Sequence, residues 1–223
     1  MSKSILYGEK DKSYFSNIRW DIADLIPEGN HAILEIGCGN GATLKALKET
    51  NKACEIFGIE INEDFAMNLS QDLDRFFIGD VESIEPPFNE KYFDYIIYGD
   101  VLEHMIYPNK ILEKYNKLLK DDGFIIASIP NIKFFIVLLR LIFFDEFKYI
   151  NSGILDQSHL RFFTKKEIKR MFENENLKII QIKPNLGGPI KNIYKKYYQI
   201  FGKLLPFNSF FTIQYIVKAK KGS

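Results

Sequence analysis

The sequence predicts an α/β protein, a mainly parallel sheet with helices on both faces. Hydrophobic runs of strand length alternate with helix-period segments along the whole chain, and no internal repeat or low-complexity tract interrupts them. At 223 residues with 46% hydrophobic content, the chain can bury the core of one such domain and is too short for two large ones.

The elements follow in order. Strands are expected near residues 32–36, 55–60, 75–78, 93–98, 123–129, 178–183 and 211–218, with helices between most of them. Pro108 suits the first turn of a helix over NKILEKYNKLLK, and Gly123 follows where a left-handed residue would end it. Thr164 and Glu167 form a capping-box signal that opens TKKEIKRMFENEN. Residues 134–144 (FFIVLLRLIFF) form the one membrane-like stretch. It has about half the length needed to cross a bilayer and carries Arg140, so no transmembrane segment is expected. The first expectation for it is burial or pairing as a homodimer; the sharper one is a lid over a substrate or a contact with a membrane surface.

Composition narrows the function. Thirty Lys and Arg balance 29 Asp and Glu, so the chain has no bulk positive field with which to hold a polyanion, and no nucleic-acid partner is expected. Two cysteines and an N-terminus without the apolar run of a signal peptide predict a reducing, cytoplasmic setting.

The strongest constellation begins at Ile33. A strand, ILEIG, runs into Gly37-Cys38-Gly39-Asn40-Gly41-Ala42 and then into TLKALKET. Glycines permit a sharp strand-to-helix turn and a close approach of ligand to backbone, where the first helical N–H groups lack partners. Glu60 ends the second strand about twenty residues on, where a carboxylate can accept from ribose hydroxyls. Loop and acid fit a nicotinamide dinucleotide as well as other adenosyl cofactors. Glu35 before the loop and Asp80-Val81 after the third strand tilt the balance, because an acid and an apolar side chain there suit an adenine edge and face. Cys38 reads as a small loop filler.

Taken in order, ILEIGCGNG, the acid of FGIEIN, the acid of FIGDVES and FDYIIYGDVLEHM resemble the class I S-adenosylmethionine-dependent methyltransferases. SIPN followed by DQSHLRFFTKKEIKRMF is similar to a small-molecule subgroup found with ubiquinone-type and polysaccharide-biosynthesis methyltransferases, and the likeness covers residues 14–183. The resemblance implies a Rossmann-like sheet of seven strands, mostly parallel with the last antiparallel, in a single domain over 1–223. It also implies a helical cover over 1–30 and insertions at 131–163 and 184–209 that cover an acceptor site. S-adenosyl-L-methionine would be the cofactor. Glu35, Gly37 and Gly39 would line its methionine end, Glu60 the ribose, Ile61 and Val81 the adenine faces, and Asp80 the adenine amine. Gly99 and Asp100 would close the site near the sulfonium, and Tyr14 and Arg19 resemble residues that cover the amino-acid end.

The implied reaction moves a methyl group to an oxygen or nitrogen of a small molecule, such as a sugar or other biosynthetic intermediate. Its rate depends mainly on placement of the acceptor, with a base where a proton must leave. Three histidines compete for that task. His31 precedes the first strand and is expected at the surface. His104, after the fourth strand, and His159, near Asp156, fall at the ligand-bearing edge, with His159 the preferred base and His104 the milder one. Arg161 suits an anionic acceptor or a pairing acid. No metal site is expected. The rival readings are an NAD-dependent reductase, a nucleic-acid methyltransferase and a protein that binds S-adenosylmethionine without turnover; the place of the Asn/Asp-Pro-Pro-aromatic element of amino-type base methyltransferases reads GDVLEH instead.

Overall fold

A computed structural model of the chain describes residues 17–65, 73–186 and 207–222. Seven strands form one sheet: β1 (Ala32–Ile36), β2 (Glu55–Glu60), β3 (Arg75–Ile78), β4 (Phe93–Gly99), β5 (Leu119–Pro130), β6 (Leu177–Asn185) and β7 (Gln214–Lys221). Their spatial order is β3-β2-β1-β4-β5-β7-β6. The pairs from β3 to β5 are parallel, and β7 runs antiparallel to both β5 and β6. This is the Rossmann-like arrangement expected, with the last strand reversed.

The central strands read as unbroken apolar runs because both sheet faces are covered. All five residues of β1 are buried. Leu34 and Ile36 face one core with α3 (Pro108–Asn116) and α5 (Lys165–Asn174), through Ile111, Tyr115 and Phe172. Ile33 faces the other, with α1 (Trp20–Ala23) and α2 (Ala42–Glu49), through Ile22, Leu44 and Leu47. Pro108 stands in the first turn of α3, and Thr164 caps α5 by accepting from the Glu167 N–H at 3.3 Å. Both local signals are found where the sequence places them.

Two boundaries differ from expectation. Helix α3 stops at Asn116 and β5 begins at Leu119, so Gly123 lies inside a strand and is not the left-handed end of a helix. A Cβ on Gly123 would stand 2.9 Å from the Leu119 side chain and 3.0 Å from the Phe93 carbonyl, so glycine is needed here for close approach. His31, expected at the surface, is half-buried, with its ring edge-on to Tyr95 at 5.0 Å.

The stretch after β5 departs from only one of the expectations for it, burial. Its helix α4 (Phe135–Phe144) is neither buried nor packed in the sheet's core. Val137 is 7% exposed and packs with Phe134, Ile154 and Leu155, whereas Ile142, Phe143 and Phe144 are 69%, 71% and 75% exposed. Among the described residues no helix is long and apolar enough to cross a membrane. Tyr14, most of the expected N-terminal cover and residues 187–206 of the second expected insertion lie outside the described residues.

The strand order reverses between β1 and β4, which opens a crevice above their carboxyl ends. The loops after β1, β2, β3 and β4 surround it.

Candidate active site

The loop after β1 alternates left-handed glycines: Gly37, Gly39 and Gly41 have φ of +68°, +53° and +70°. A Cβ on Gly37 would come within 2.6 Å of Val101 Cγ2, so this glycine is required by conformation and by space. Backbone donors anchor the loop to β2, with Gly37 N–H on the Ile59 carbonyl at 2.8 Å. Cys38 turns its sulfur onto β2 where Gly58 leaves room for it; a Cβ there would lie 2.5 Å from Sγ. Burial, with Glu35 and Glu60 nearby, pushes the Cys38 thiol up, which suits a packed filler and not a nucleophile.

Glu60 is held by its own neighbourhood. Its Oε2 accepts from Gly39 N–H at 2.9 Å, and its Oε1 accepts from Ile61 N–H at 2.9 Å and Asn62 N–H at 3.0 Å. Burial raises its pKa and these three amides oppose the rise. Glu35, one strand over, is fully enclosed. Burial pushes its carboxyl up to about 8; Arg19 opposes this and Glu60 adds to it. Its Oε2 has no hydrogen-bond partner among the described residues.

Asp80 begins a turn in which its Oδ1 accepts from Glu82 N–H at 3.0 Å. Glu82 in turn accepts from the backbone of Ile106 and Tyr107 at 3.2 and 2.9 Å, tying the loop after β3 to the loop after β4. Asp100 holds a left-handed φ of +59°, unusual for a residue other than glycine. Arg19, Ser128 and Gln214 all donate to its carboxylate. Together these groups surround a cleft of about 650 Å³, lined by Glu35, Gly37, Gly39, Glu60, Ile61, Asp80, Val81, Gly99 and Asp100 with Arg19, Val101, His104 and Met105. Every expected cofactor-side residue that the structure describes stands on that wall.

The two histidines separate. His104 lines the cleft, whereas His159 stands behind it, with ring centroids 4.7 Å apart. His159, expected as the base over the cleft, is therefore one layer back. Its Nε2 faces Glu103 Oε1 at 3.9 Å, and Asp156 accepts from Ser158 N–H at 2.9 Å. The Arg161 guanidinium donates to the Ile106 carbonyl at 2.6 Å.

A family model described as "Methyltransferase domain" matches residues 12–182. The chain belongs to this methyltransferase family. A Bacillus subtilis protein provisionally named as a 23S rRNA (guanine-N(1)-)-methyltransferase is 27% identical over 166 residues, 70% of this chain and 56% of that relative. A ubiquinone biosynthesis O-methyltransferase of Rickettsia bellii is 28% identical over 182 residues, covering 78% and 69% of the two chains. The fold matches a solved S-adenosylmethionine-dependent methyltransferase of Archaeoglobus fulgidus with a TM-score of 0.67 at 18% identity, over 97% and 99% of the two chains.

The cofactor of this methyltransferase is S-adenosylmethionine, and the cleft fits it. Its volume is within the ~300–1,000 Å³ usual for ligand pockets. The buried, unpartnered Glu35 oxygen suits an ammonium group, and the Gly37–Gly39 backbone admits a ligand that a Cβ would block. Four residues around the site were not singled out in the sequence: Glu103, Ser128, Asn131 and Gln214. Glu103 is adjacent to His104 and could have been found there. Ser128 and Asn131 lie in the SIPN motif, which carried the resemblance without giving either a role, and Gln214 gave no local signal. Buried Asn131 donates to the Ser209 and Thr212 carbonyls at 2.7 Å each and so joins the end of β5 to the approach to β7.

Proposed function

We propose that this methyltransferase moves the methyl group to an oxygen or nitrogen of a small molecule, such as a sugar or other biosynthetic intermediate. The observation that carries the reading is the charge of the cleft wall. Arg19 is the one Lys or Arg among its described lining residues, and Asp21 and Asp100 already engage it. A strand of nucleic acid needs free cations along its track, and this wall supplies none among the described residues. Val101 and Met105 around His104 make a mostly apolar approach instead.

When bound, S-adenosylmethionine supplies an electrophilic methyl group that needs no activation by the protein. The chain's own residues bind and orient. In this reading Glu35 accepts from the amino group, Gly37 and Gly39 flank the methionine end, and Glu60 accepts from the ribose through the lone pair of Oε2 left beside Gly39. Ile61 and Val81 cover the adenine faces, and Asp80 accepts from the adenine amine. Gly99 and Asp100 lie toward the sulfonium, and Arg19 fixes Asp100. The acceptor approaches past His104, and its proton leaves on the side where His104, Glu103 and His159 cluster. Two unpaired cysteines support a reducing, cytoplasmic setting.

Transfer of a radiolabelled methyl group from S-adenosylmethionine tests the reading, with pooled small metabolites and ribosomal RNA offered separately. Label in small hydroxyl or amine compounds is expected. Label confined to RNA gives the reading suggested by the Bacillus subtilis relative, and binding without transfer to any acceptor gives a non-catalytic cofactor-binding protein.

A further inference from the structure

Two buried histidines and a buried glutamate meet beside the cleft, outside the groups assigned to the cofactor. One ligand-capable atom from each of Glu103, His104 and His159 lies within 4.8 Å of the others, and all three side chains are buried. Two chain segments deliver them, and the backbone locks the segments together. Leu160 N–H and Arg161 N–H donate to the Glu103 carbonyl at 2.8 and 2.9 Å. The 3₁₀ turn Leu102–His104 and the loop carrying His159 are thus tied together.

The hydrogen bonds of the rings fix their protons. His104 Nδ1 lies 3.0 Å from the Ser158 carbonyl and His159 Nδ1 lies 2.9 Å from the Ile154 carbonyl. A carbonyl oxygen only accepts, so each Nδ1 carries a hydrogen, and in a neutral ring Nε2 is then the nitrogen that can donate an electron pair. Two such nitrogens and a carboxylate are three electron-pair donors gathered out of water, an arrangement stabilised by a cation. A backbone carbonyl on the far nitrogen is also the outer hydrogen bond that orients metal-binding histidines.

We propose that Glu103, His104 and His159 hold one divalent transition-metal ion of the zinc class, with a position left open toward the cleft for the hydroxyl oxygen of the acceptor. Two imidazoles and one carboxylate suit zinc and its neighbours, and three protein ligands leave a fourth place for substrate. Metal bonds of about 2.0–2.2 Å set tetrahedral ligand atoms roughly 3.4 Å apart, so side-chain motion of little more than ~1 Å closes the site. His104, on the cleft wall, brings the ion to the acceptor side.

The ion's role, though not its presence, rests on the methyl-transfer reading. A hydroxyl bound at the open position releases its proton to solvent near neutral pH. The oxygen lone pair then forms the bond to the methyl carbon while the carbon–sulfur bond breaks, and that electron pair stays on sulfur as a neutral thioether.

The test uses full-length protein stripped with chelator and titrated with Co²⁺ alone, read by visible absorption, with S-adenosylmethionine binding followed separately by calorimetry. One Co²⁺ per chain is expected, with the intense bands of a four-coordinate site, displaced by Zn²⁺. His159→Gln and Glu103→Gln should each weaken Co²⁺ binding at least about 100-fold, since losing only an outer partner costs 10–100-fold. Both should keep cofactor affinity within twofold. Stripped wild-type protein that binds the cofactor and takes up no Co²⁺ at micromolar concentration overturns the proposal. That result needs no variant, so misfolding of a mutant cannot mask it. Uptake of Co²⁺ without cofactor binding keeps the metal site and defeats the methyl-transfer reading instead.

Discussion

The two sides of the cleft are built differently. On the cofactor side, the glycine loop and Glu60 are positioned by backbone a few residues away or by the adjacent strand: Glu60 is gripped by Gly39, Ile61 and Asn62, and the glycine loop hangs on Ile59. On the acceptor side, His104 is oriented by Ser158, 54 residues further along, through a loop that follows the exposed helix α4. The first construction uses strand ends and tight turns that a short motif specifies. The second needs the whole β5–α5 crossover to be in place before any one residue has a role. Substitutions on the cofactor side should accordingly disturb fold and ligand binding together, while those on α4 should separate them.

Glu35 should give the largest effect. Its carboxyl, pushed up to about 8 from an ordinary value of 4.5, binds a proton in the folded chain that the unfolded chain has already released. A folded pKa above the unfolded one means the stabilisation is complete below about pH 4.5 and is lost as pH rises through about 8. Stability without cofactor should therefore decline across that window by up to a few kcal/mol, at about 1.4 kcal/mol per pH unit where the slope is steepest. Glu35→Gln should flatten the profile in denaturant titrations at several pH values. An unchanged slope removes Glu35 as its source.

Glu60→Ala comes next. It strips an acceptor from three amides and a ligand partner from the cleft, so cofactor affinity should fall by roughly 1–3 kcal/mol, with a comparable loss of stability. Calorimetry showing full affinity in a folded variant would detach Glu60 from the ribose. Gly37→Ala, which forces a Cβ into Val101 at a positive φ, should cost about 1–2 kcal/mol of stability and weaken cofactor binding. A melting curve identical to that of the parent would mean the loop relaxes without cost.

Helix α4 supplies the smallest effects and the sharpest contrast within one element. Val137→Ala, at the buried end, should cost about 1–2 kcal/mol. Phe143→Ser, at the exposed end, should stay within about 0.5 kcal/mol and leave cofactor binding unchanged. If Phe143→Ser destabilises as much as Val137→Ala, the exposed end is covered by something in solution, and sedimentation at several concentrations will show whether that is a second copy.

Legibility in the sequence follows the same division. The glycines from Gly37 to Gly41, Glu60, the Asp80 turn and the Thr164 cap each had a local reason that needs only a few neighbouring residues, and the structure places each as expected. Gly123 misled because glycine serves both left-handed turns and crowded strands, and only the nearness of Leu119 and Phe93 separates the two uses. For His159, position near a carboxylate was visible in the sequence, but its depth behind the wall was not.

By itself the sequence determined the parallel core, the strand ends that carry the acids, and the backbone-lined cleft, because hydrophobic period and turn chemistry act over a few residues. The tertiary structure alone decided three things: that Glu103 joins His104 and His159, that Arg19, Ser128 and Gln214 converge on Asp100, and that α4 stays at the surface. Each depends on contacts between segments tens of residues apart in the chain. The sequence names the partners, but only the packed sheet and its crossovers fix the distances between them.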